Sequence, residues 1–248
     1  MSGHSKWATI KHKKGAADKA RAKVFNKIAR QLEVAAREGG GDATSNATLR
    51  TYVQKAKAAQ MTNDAIDRAI KRGTGENDGG TFEAITYEGY APGGVALLID
   101  VLTDNRNRTG AEVRNVFSKL GGSMAEPGAV SWQFRRAGVL HVPASVTEDD
   151  VMMAALDAGA EDVTLAGDTW EITSEPSIVY DVKSALEAAG IDVLSAESTM
   201  VSSTTIDVSD AETAKKVLRI VDALEDNDDV QDVFGNFDIS DDLMEAVG

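Results

Sequence analysis

The chain has 248 residues, 42% of them hydrophobic and only 5% aromatic, enough for more than one core built mainly of Ala, Val, Leu and Ile. It contains no cysteine, which removes disulfides, thiolate chemistry and Cys-based zinc sites and makes a reducing compartment, the cytoplasm, the expected location. The net charge of -14 hides a steep gradient: residues 1–37 carry ten Lys/Arg against Asp18 and Glu33, residues 38–80 and 81–136 are each neutral, and residues 137–248 hold 26 acidic and four basic side chains.

A gradient of this kind is expected of a chain with one polyanion-facing end and one solvated acidic end. The N-terminus has no apolar targeting core. The longest apolar run, residues 95–102, is broken by Asp100 and falls far short of a membrane span, so a soluble protein is expected.

Residues 1–20 form a basic arm in which Lys6, Lys11, Lys13, Lys14 and Lys19 surround Trp7, with His4 and His12 nearby. Lysines neutralise phosphates and release counterions, and an indole offers a stacking platform for an unpaired base. The other reading is a solvated tail and helix face. Residues 16–38 read as a helix with Phe25, Ile28, Leu32 and Ala35 on one face; at 100° per residue, Lys19, Lys23, Lys27, Arg30 and Arg37 gather on the opposite side, with Arg21 adding to the charge. Acidic charges on a separate domain would be screened from this face, since the Debye length is about 8 Å at physiological salt.

Gly39-Gly40-Gly41 ends that helix. A second follows with Leu49, Tyr52, Val53 and Ala56 inward, and a third starts after Thr62 with Ile66 and Ile70 inward and stops at Gly73. Residues 21–78 are therefore expected to form a three-helix bundle.

After the glycine-rich stretch 73–80 the period changes to that of strands, predicted at 81–87 and 95–102 around a turn over residues 88–94. Thr109-Gly110-Ala111-Glu112 has the form of a capping box before a helix, and 130–134 reads as a strand. From Gly138 the order strand, helix, strand, strand, helix, strand is one complete βαββαβ unit. A last strand, helix and strand, at 203–208, 211–224 and 230–237, has apolar faces that need a partner. The expected fold is thus α+β in three domains: the helical bundle and two α/β domains of ferredoxin-like character. Folding that last strand, helix and strand back onto the strands before the insertion makes the expected middle domain discontinuous (79–136 and 201–240) around an inserted domain at 137–200; periodicity alone equally allows a free-standing tail unit.

Two further motifs could hold ligands. Asp104-Asn105-Arg106-Asn107-Arg108 sets two guanidinium forks beside a helix start, which suits a phosphate or carboxylate. The alternative is a turn in which Arg106 and Arg108 pair with Asp100, Asp104 or Glu88. Tyr87-Glu88-Gly89-Tyr90 could line the same region, or cap a core. Together, Tyr87, Glu88, Tyr90, Arg106, Asn107 and Arg108 make a second candidate contact site. His4 and His12 have no third ligand and His141 reads as a strand residue, so no metal site is expected. No nucleotide fingerprint and no serine–histidine–acid constellation can be picked out from spacing, so neither a cofactor, a small-molecule substrate nor an enzymatic activity is expected.

Gly3-His4-Ser5-Lys6-Trp7, Ile10-Lys11-His12-Lys13, Asp18 with Arg21, Lys23 and Phe25, Gly39-Gly40-Gly41-Asp42, Tyr87-Glu88-Gly89-Tyr90 and Asp104-Asn105-Arg106-Asn107-Arg108 together resemble the YebC/PmpR family, which includes the mitochondrial translational activator of cytochrome oxidase. The likeness runs the length of the chain in order and spacing. It implies three domains and a cytoplasmic regulator: some members are described as DNA-binding transcription factors, and others act at the ribosome, including relief of stalling at proline runs. It also carries the basic N-terminal positions over onto Lys6, Lys11, Lys13, Lys14, Lys19, Arg21, Lys23 and Lys27. Two departures, Ala22 where relatives often have glycine and Ala47 where they have proline, remove no functional group.

Three functions follow as expectations. The first is a DNA-binding transcriptional regulator. The second is a translation factor whose arm contacts ribosomal RNA on the ribosome, and the third is a protein–protein adaptor using the acidic α/β domains. The third helix offers only Asn63, Arg68, Lys71 and Arg72 as base readers, which is thin for a helix-turn-helix and leaves phosphate-dominated RNA contact level with DNA.

Overall fold

The computed structural model describes residues 17–75 and 81–247. Residues 132–205 make one compact unit, and the described residues on either side of them make the other. The fold is α+β, with an N-terminal helical domain followed by two α/β domains.

The N-terminal helices are α1 (Ala17–Gly39), α2 (Ala47–Ala58) and α3 (Asn63–Gly73). Ile28, Leu32 and Ala35 fall one turn apart and are buried against Leu49, Ala56, Ile66 and Ala69. Asn46 holds the α1–α2 corner. Its side chain accepts from the Leu49 N–H as N-cap and donates to the Ala35 and Gly40 carbonyls. At the end of α3 a Cβ on Gly73 would lie 2.2 Å from the Glu33 carbonyl oxygen, so only glycine lets α3 approach α1 this closely.

The middle domain begins with the antiparallel hairpin β1 (Glu83–Ala91) and β2 (Val95–Thr103). It continues through α4 (Arg106–Leu120) and β3 (Ser123–Ala125). After residue 205 the chain returns with β8 (Ile206–Asp207), α7 (Ala211–Glu225), β9 (Val230–Gly235), β10 (Phe237–Asp238) and α8 (Asp241–Val247). The main sheet has the order β3-β1-β2-β9, so β9 from the far end of the chain lies beside β2 from before the insertion. Val113 and Phe117 of α4 and Ala214, Val217 and Val221 of α7 share one core with Val95, Leu97, Ile99 and Val233.

The unit at 132–205 is built from β4 (Phe134–Pro143), α5 (Glu148–Asp157), β5 (Asp162–Ala166), β6 (Thr169–Ser174), α6 (Val179–Ala188) and β7 (Ser195–Ser202). Its sheet has the order β5-β6-β4-β7, antiparallel throughout. Leu140, Val142 and Ile172 pack under both helices with Val151, Val182 and Leu186. Thr147 caps α5, and the Trp170 indole donates to the Val146 carbonyl.

Several boundaries differ from the sequence expectation, each for a local reason. The predicted turn over 88–94 shrinks to Pro92–Gly94, because Glu88, Gly89 and Tyr90 pair in register with Leu98, Leu97 and Ala96. Residues 130–133 are not strand: the Glu88 carboxylate accepts from the N–H groups of Gly128, Val130 and Ser131, taking donors that a ladder would need. The strand instead runs unbroken from Phe134 to Pro143. Helix α4 is capped not by Thr109 but by Asn105, whose side chain accepts from the Arg108 N–H. The strand expected at 203–208 is reduced to Ile206–Asp207, and 230–237 breaks at Asn236, whose backbone and side chain both bond to Ala96.

Candidate nucleic-acid interface

Lys6, Trp7, Lys11, His12, Lys13 and Lys14 lie outside the described residues, and Lys19 lies in the first turn of α1. Arg21 is exposed on that helix. The next three basic positions, Lys23, Lys27 and Arg30, follow at spacings of four and three and so share a face, as the sequence implies.

That face has an occupant within the chain. Lys23 Nζ lies 3.1 Å from Asp226 Oδ1 and also donates to the Asp226 carbonyl. Lys27 Nζ donates to the Glu225 carbonyl at 2.9 Å. Arg30 Nη1 reaches Asp229 Oδ1 at 2.8 Å and the Asp228 carbonyl at 2.9 Å, with its guanidinium 5.2 Å from the centre of the Phe82 ring. From the neighbouring helix, Lys55 pairs with Asp232 at 3.5 Å. The turn from α7 into β9, residues 225–232, is therefore an acidic corner seated against α1. Screening does not separate opposite charges at contact distance, and the acidic half of the chain is only partly a solvated surface. A cleft of about 330 Å³ opens beside this junction, lined by Lys23, Asn26, Lys27, Arg30, Arg72 and Phe82 among others.

Asp229 is the hub of the junction. Its side chain is only 7% exposed. It accepts from Thr109 Oγ1 at 2.7 Å, Thr103 Oγ1 at 3.1 Å, Arg30, and Arg108 Nη2. Burial works against the charge, but the hydrogen bonds from Thr109, Arg108, Arg30 and Thr103 outweigh it and hold the pKa at about 2. Arg108 also bridges to Asp104 at 2.9 Å.

The Asp104–Arg108 loop thus carries its own counter-charge: Arg108 is turned onto carboxylates of the chain, and Asn105 fills the helix start. Of the partners weighed from sequence, Asp104 is found. Asp229, more than 100 residues away, could not be read from spacing. Arg106 projects outward, its side chain 66% exposed and 3.4 Å from Glu83, and Asn107 is exposed beside it.

The Tyr87–Tyr90 segment braces the same region. Tyr87 Oη donates to the Arg106 carbonyl and Tyr90 Oη to the Ala129 carbonyl. Glu88 is buried; burial would raise its pKa, yet three backbone N–H donors, from Gly128, Val130 and Ser131, hold it below the usual carboxylate range.

On the inserted sheet three strands bring together a set that spacing along the chain does not reveal. His141 Nδ1 lies 2.9 Å from Ser195 Oγ, and His141 Nε2 lies 3.3 Å from Glu171 Oε2. The hydrogen bond from His141 holds the Glu171 carboxyl below its ordinary pKa. The strand carrying His141 is paired on both sides, so its backbone N–H groups are spent in the ladders and do not converge on a developing oxyanion. Among the described residues no group of three or more metal-ligating side chains occurs, and no helix is long and apolar enough to cross a membrane.

The chain is similar in sequence and fold to known proteins. A family model described as the TACO1/YebC protein N-terminal domain matches residues 5–76, and one described as the TACO1/YebC second and third domain matches residues 82–237. The chain belongs to the TACO1/YebC family. The seam between the two TACO1/YebC matches coincides with the glycine-rich stretch after α3. Full-length relatives include a protein of Rubrobacter xylanophilus, 55% identical over 100% of this chain and 99% of its own, and one of Halothermothrix orenii, 52% identical over the same shares. Both bear the name "Probable transcriptional regulatory protein". A solved structure, the conserved hypothetical protein Aq1575 of Aquifex aeolicus, is 44% identical and superposes with a TM-score of 0.78 over 90% of this chain and 93% of its own.

Proposed function

We propose that the protein is a nucleic-acid-binding regulator of the YebC type, acting in the cytoplasm on transcription by binding DNA rather than by catalysis. The observation that carries this reading is the confinement of positive charge: ten Lys/Arg against two acidic residues within the first 37 positions of a chain whose net charge is -14. The names of its full-length relatives agree with a role in transcription. Lys6, Lys11, Lys13, Lys14, Lys19 and Arg21 are the proposed phosphate contacts, Trp7 the stacking platform, and outward-facing Arg106 and Asn107 a secondary contact.

A second reading, contact with ribosomal RNA in translation, is favoured by the state of α3. Arg72 is held by Glu33 at 3.0 Å and Arg68 turns back to the Asp64 carbonyl, so few side chains of α3 are available to read a major groove.

Two measurements separate these readings: titration of a DNA duplex at two salt concentrations, and sedimentation of ribosomes with the protein. Sequence-selective duplex binding that persists at high salt supports transcription, and co-sedimentation with ribosomes supports translation. Replacing Lys11, Lys13 and Lys14 by Glu should abolish binding in both assays. Unchanged affinity in this triple variant would sink the arm reading.

A further inference from the structure

Lys23, Lys27 and Arg30 combine two properties that do not ordinarily go together. They continue the basic surface of the arm along α1, where a phosphodiester backbone leaving Lys19 and Arg21 would pass next. Yet each is turned onto the acidic corner at 225–232 of its own chain, at distances of 2.8 to 3.1 Å for Arg30–Asp229, Lys27–Glu225 and Lys23–Asp226.

The junction they make differs in kind from the two cores it joins. The apolar core of the helical bundle and that of the middle domain have no residue in common. Contact between α1 and the corner is made by ammonium and guanidinium groups on carboxylates and carbonyls. Two carboxamides within it are incompletely satisfied: Gln31, 4% exposed, and Gln231, 9% exposed, each leave a buried side-chain oxygen with no hydrogen-bond partner among the described residues. The outer pairs of this seam, Lys23–Asp226 and Lys55–Asp232, are partly in solvent and gain little when closed, because exposed ion pairs are weak and each orphaned acceptor is costly, while Arg30 on buried Asp229 is the firmer contact.

From this we infer that the Lys23–Lys27–Arg30 face is a nucleic-acid-binding surface held closed by the acidic corner, which occupies it as an intramolecular stand-in for phosphate. The inference rests on the nucleic-acid reading above. Binding exchanges the carboxylates that face Lys23 and Arg30, and the carbonyls that face all three cations, for phosphate oxygens, and the helical bundle swings away from the corner as it does so. Closure lowers apparent affinity by the fraction of molecules that are open, so weak non-specific polyanions are refused while a ligand engaging arm and helix together is admitted.

The test removes two of the corner's five acidic charges without touching the cations. Asp226 and Asp232 have side chains 82% and 38% exposed, so Asp226→Asn with Asp232→Asn should leave folding intact. With a fluorescein-labelled 30-base-pair duplex and a labelled RNA hairpin as probes, the double variant is expected to bind about tenfold more tightly than the parent. Its salt slope should be steeper, because the parent spends part of its electrostatic gain breaking internal pairs.

The absence of cysteine allows spin labels at Ala22→Cys on α1 and Lys215→Cys on α7 alone. Their separation should lengthen at saturating duplex or hairpin. Unchanged affinity and slope in the double variant, together with an unchanged label distance at saturation, would overturn the closed-surface inference. The arm reading is judged separately: if the Lys11, Lys13 and Lys14 to Glu variant still abolishes binding, that reading stands while this one falls.

Discussion

Replacing Asp229 by Asn tests the hub of the larger unit, because the change keeps shape and removes charge. In the parent, both carboxylate oxygens are in use: Oδ1 takes Arg30 at 2.8 Å, and Oδ2 takes Arg108, Thr109 at 2.7 Å and Thr103 at 3.1 Å. A carboxamide can accept on one side only, so its NH₂ must face a set of donors. Hydrogen bonds to a charged group contribute about 1.5–3 kcal/mol each, and leaving one partner of a buried pair costs about 3–5 kcal/mol. Arg30 and Arg108 have side chains 27% and 44% exposed, so water recovers part of this, and a net loss of about 3 kcal/mol is expected.

The pH dependence supplies a second signature. The folded-state pKa of about 2 lies below the ordinary 3.8, so this group's contribution is fully present above the ordinary value and is lost as pH falls through about 2. That amounts to about 2 kcal/mol, which the parent should lose on acidification and the variant should not. Urea unfolding followed by far-ultraviolet circular dichroism should show the midpoint lowered by about 1 M. Fluorescence of Trp170, buried within residues 132–205, should report an unmoved transition for that unit. A loss below about 1 kcal/mol, or the same acid sensitivity in both proteins, would refute the assignment of Asp229 as hub.

The other stability predictions concern single contacts. Gly89→Ala would place a Cβ 2.5 Å from the Phe117 ring and 2.9 Å from the Ser123 carbonyl oxygen, in the middle of a paired strand; a destabilisation of about 2–3 kcal/mol by urea titration is expected, and a neutral result would mean that Phe117 has room to move. Thr147→Ala removes the α5 cap and should lower stability by about 1 kcal/mol, seen in the Trp170 fluorescence transition and not in that of the other unit.

Sequence periodicity located most elements, since Ile28, Leu32 and Ala35, or Val113 and Phe117, can be buried together only on one helical face. It located ends less well wherever a distant side chain supplied the deciding hydrogen bond. Thr109 and Asn105 are both competent caps; Asn105 prevails because the Thr109 hydroxyl is drawn to Asp229, 120 positions away. Likewise Val130 looks like the start of a strand until Glu88, on another strand, takes its N–H. The arm was legible as charge, but the fate of Lys23, Lys27 and Arg30 was not, because nothing in a helix's own sequence says which carboxylates from the far end of the chain will face it.

Charge counted along a sequence measures capacity, and only pairing decides how much of it is available. Of the residues grouped as one basic front end, three are satisfied by the acidic corner in the folded chain. The strongest looking anion motif, Asp104–Arg108, turns Arg108 inward onto Asp104 and Asp229. The two cases are physically different. Arg108 meets a carboxylate that is 7% exposed and shared with two hydroxyls, so releasing it would strand a buried charge. Lys23 meets Asp226, whose side chain is 82% exposed, so water can replace either partner, and a phosphate the carboxylate, at little cost. Exchange with a polyanion is therefore expected at Lys23 before Arg30, with Arg108 remaining in place. In the double variant, added affinity should accordingly vanish on Lys23→Glu and survive Arg108→Lys.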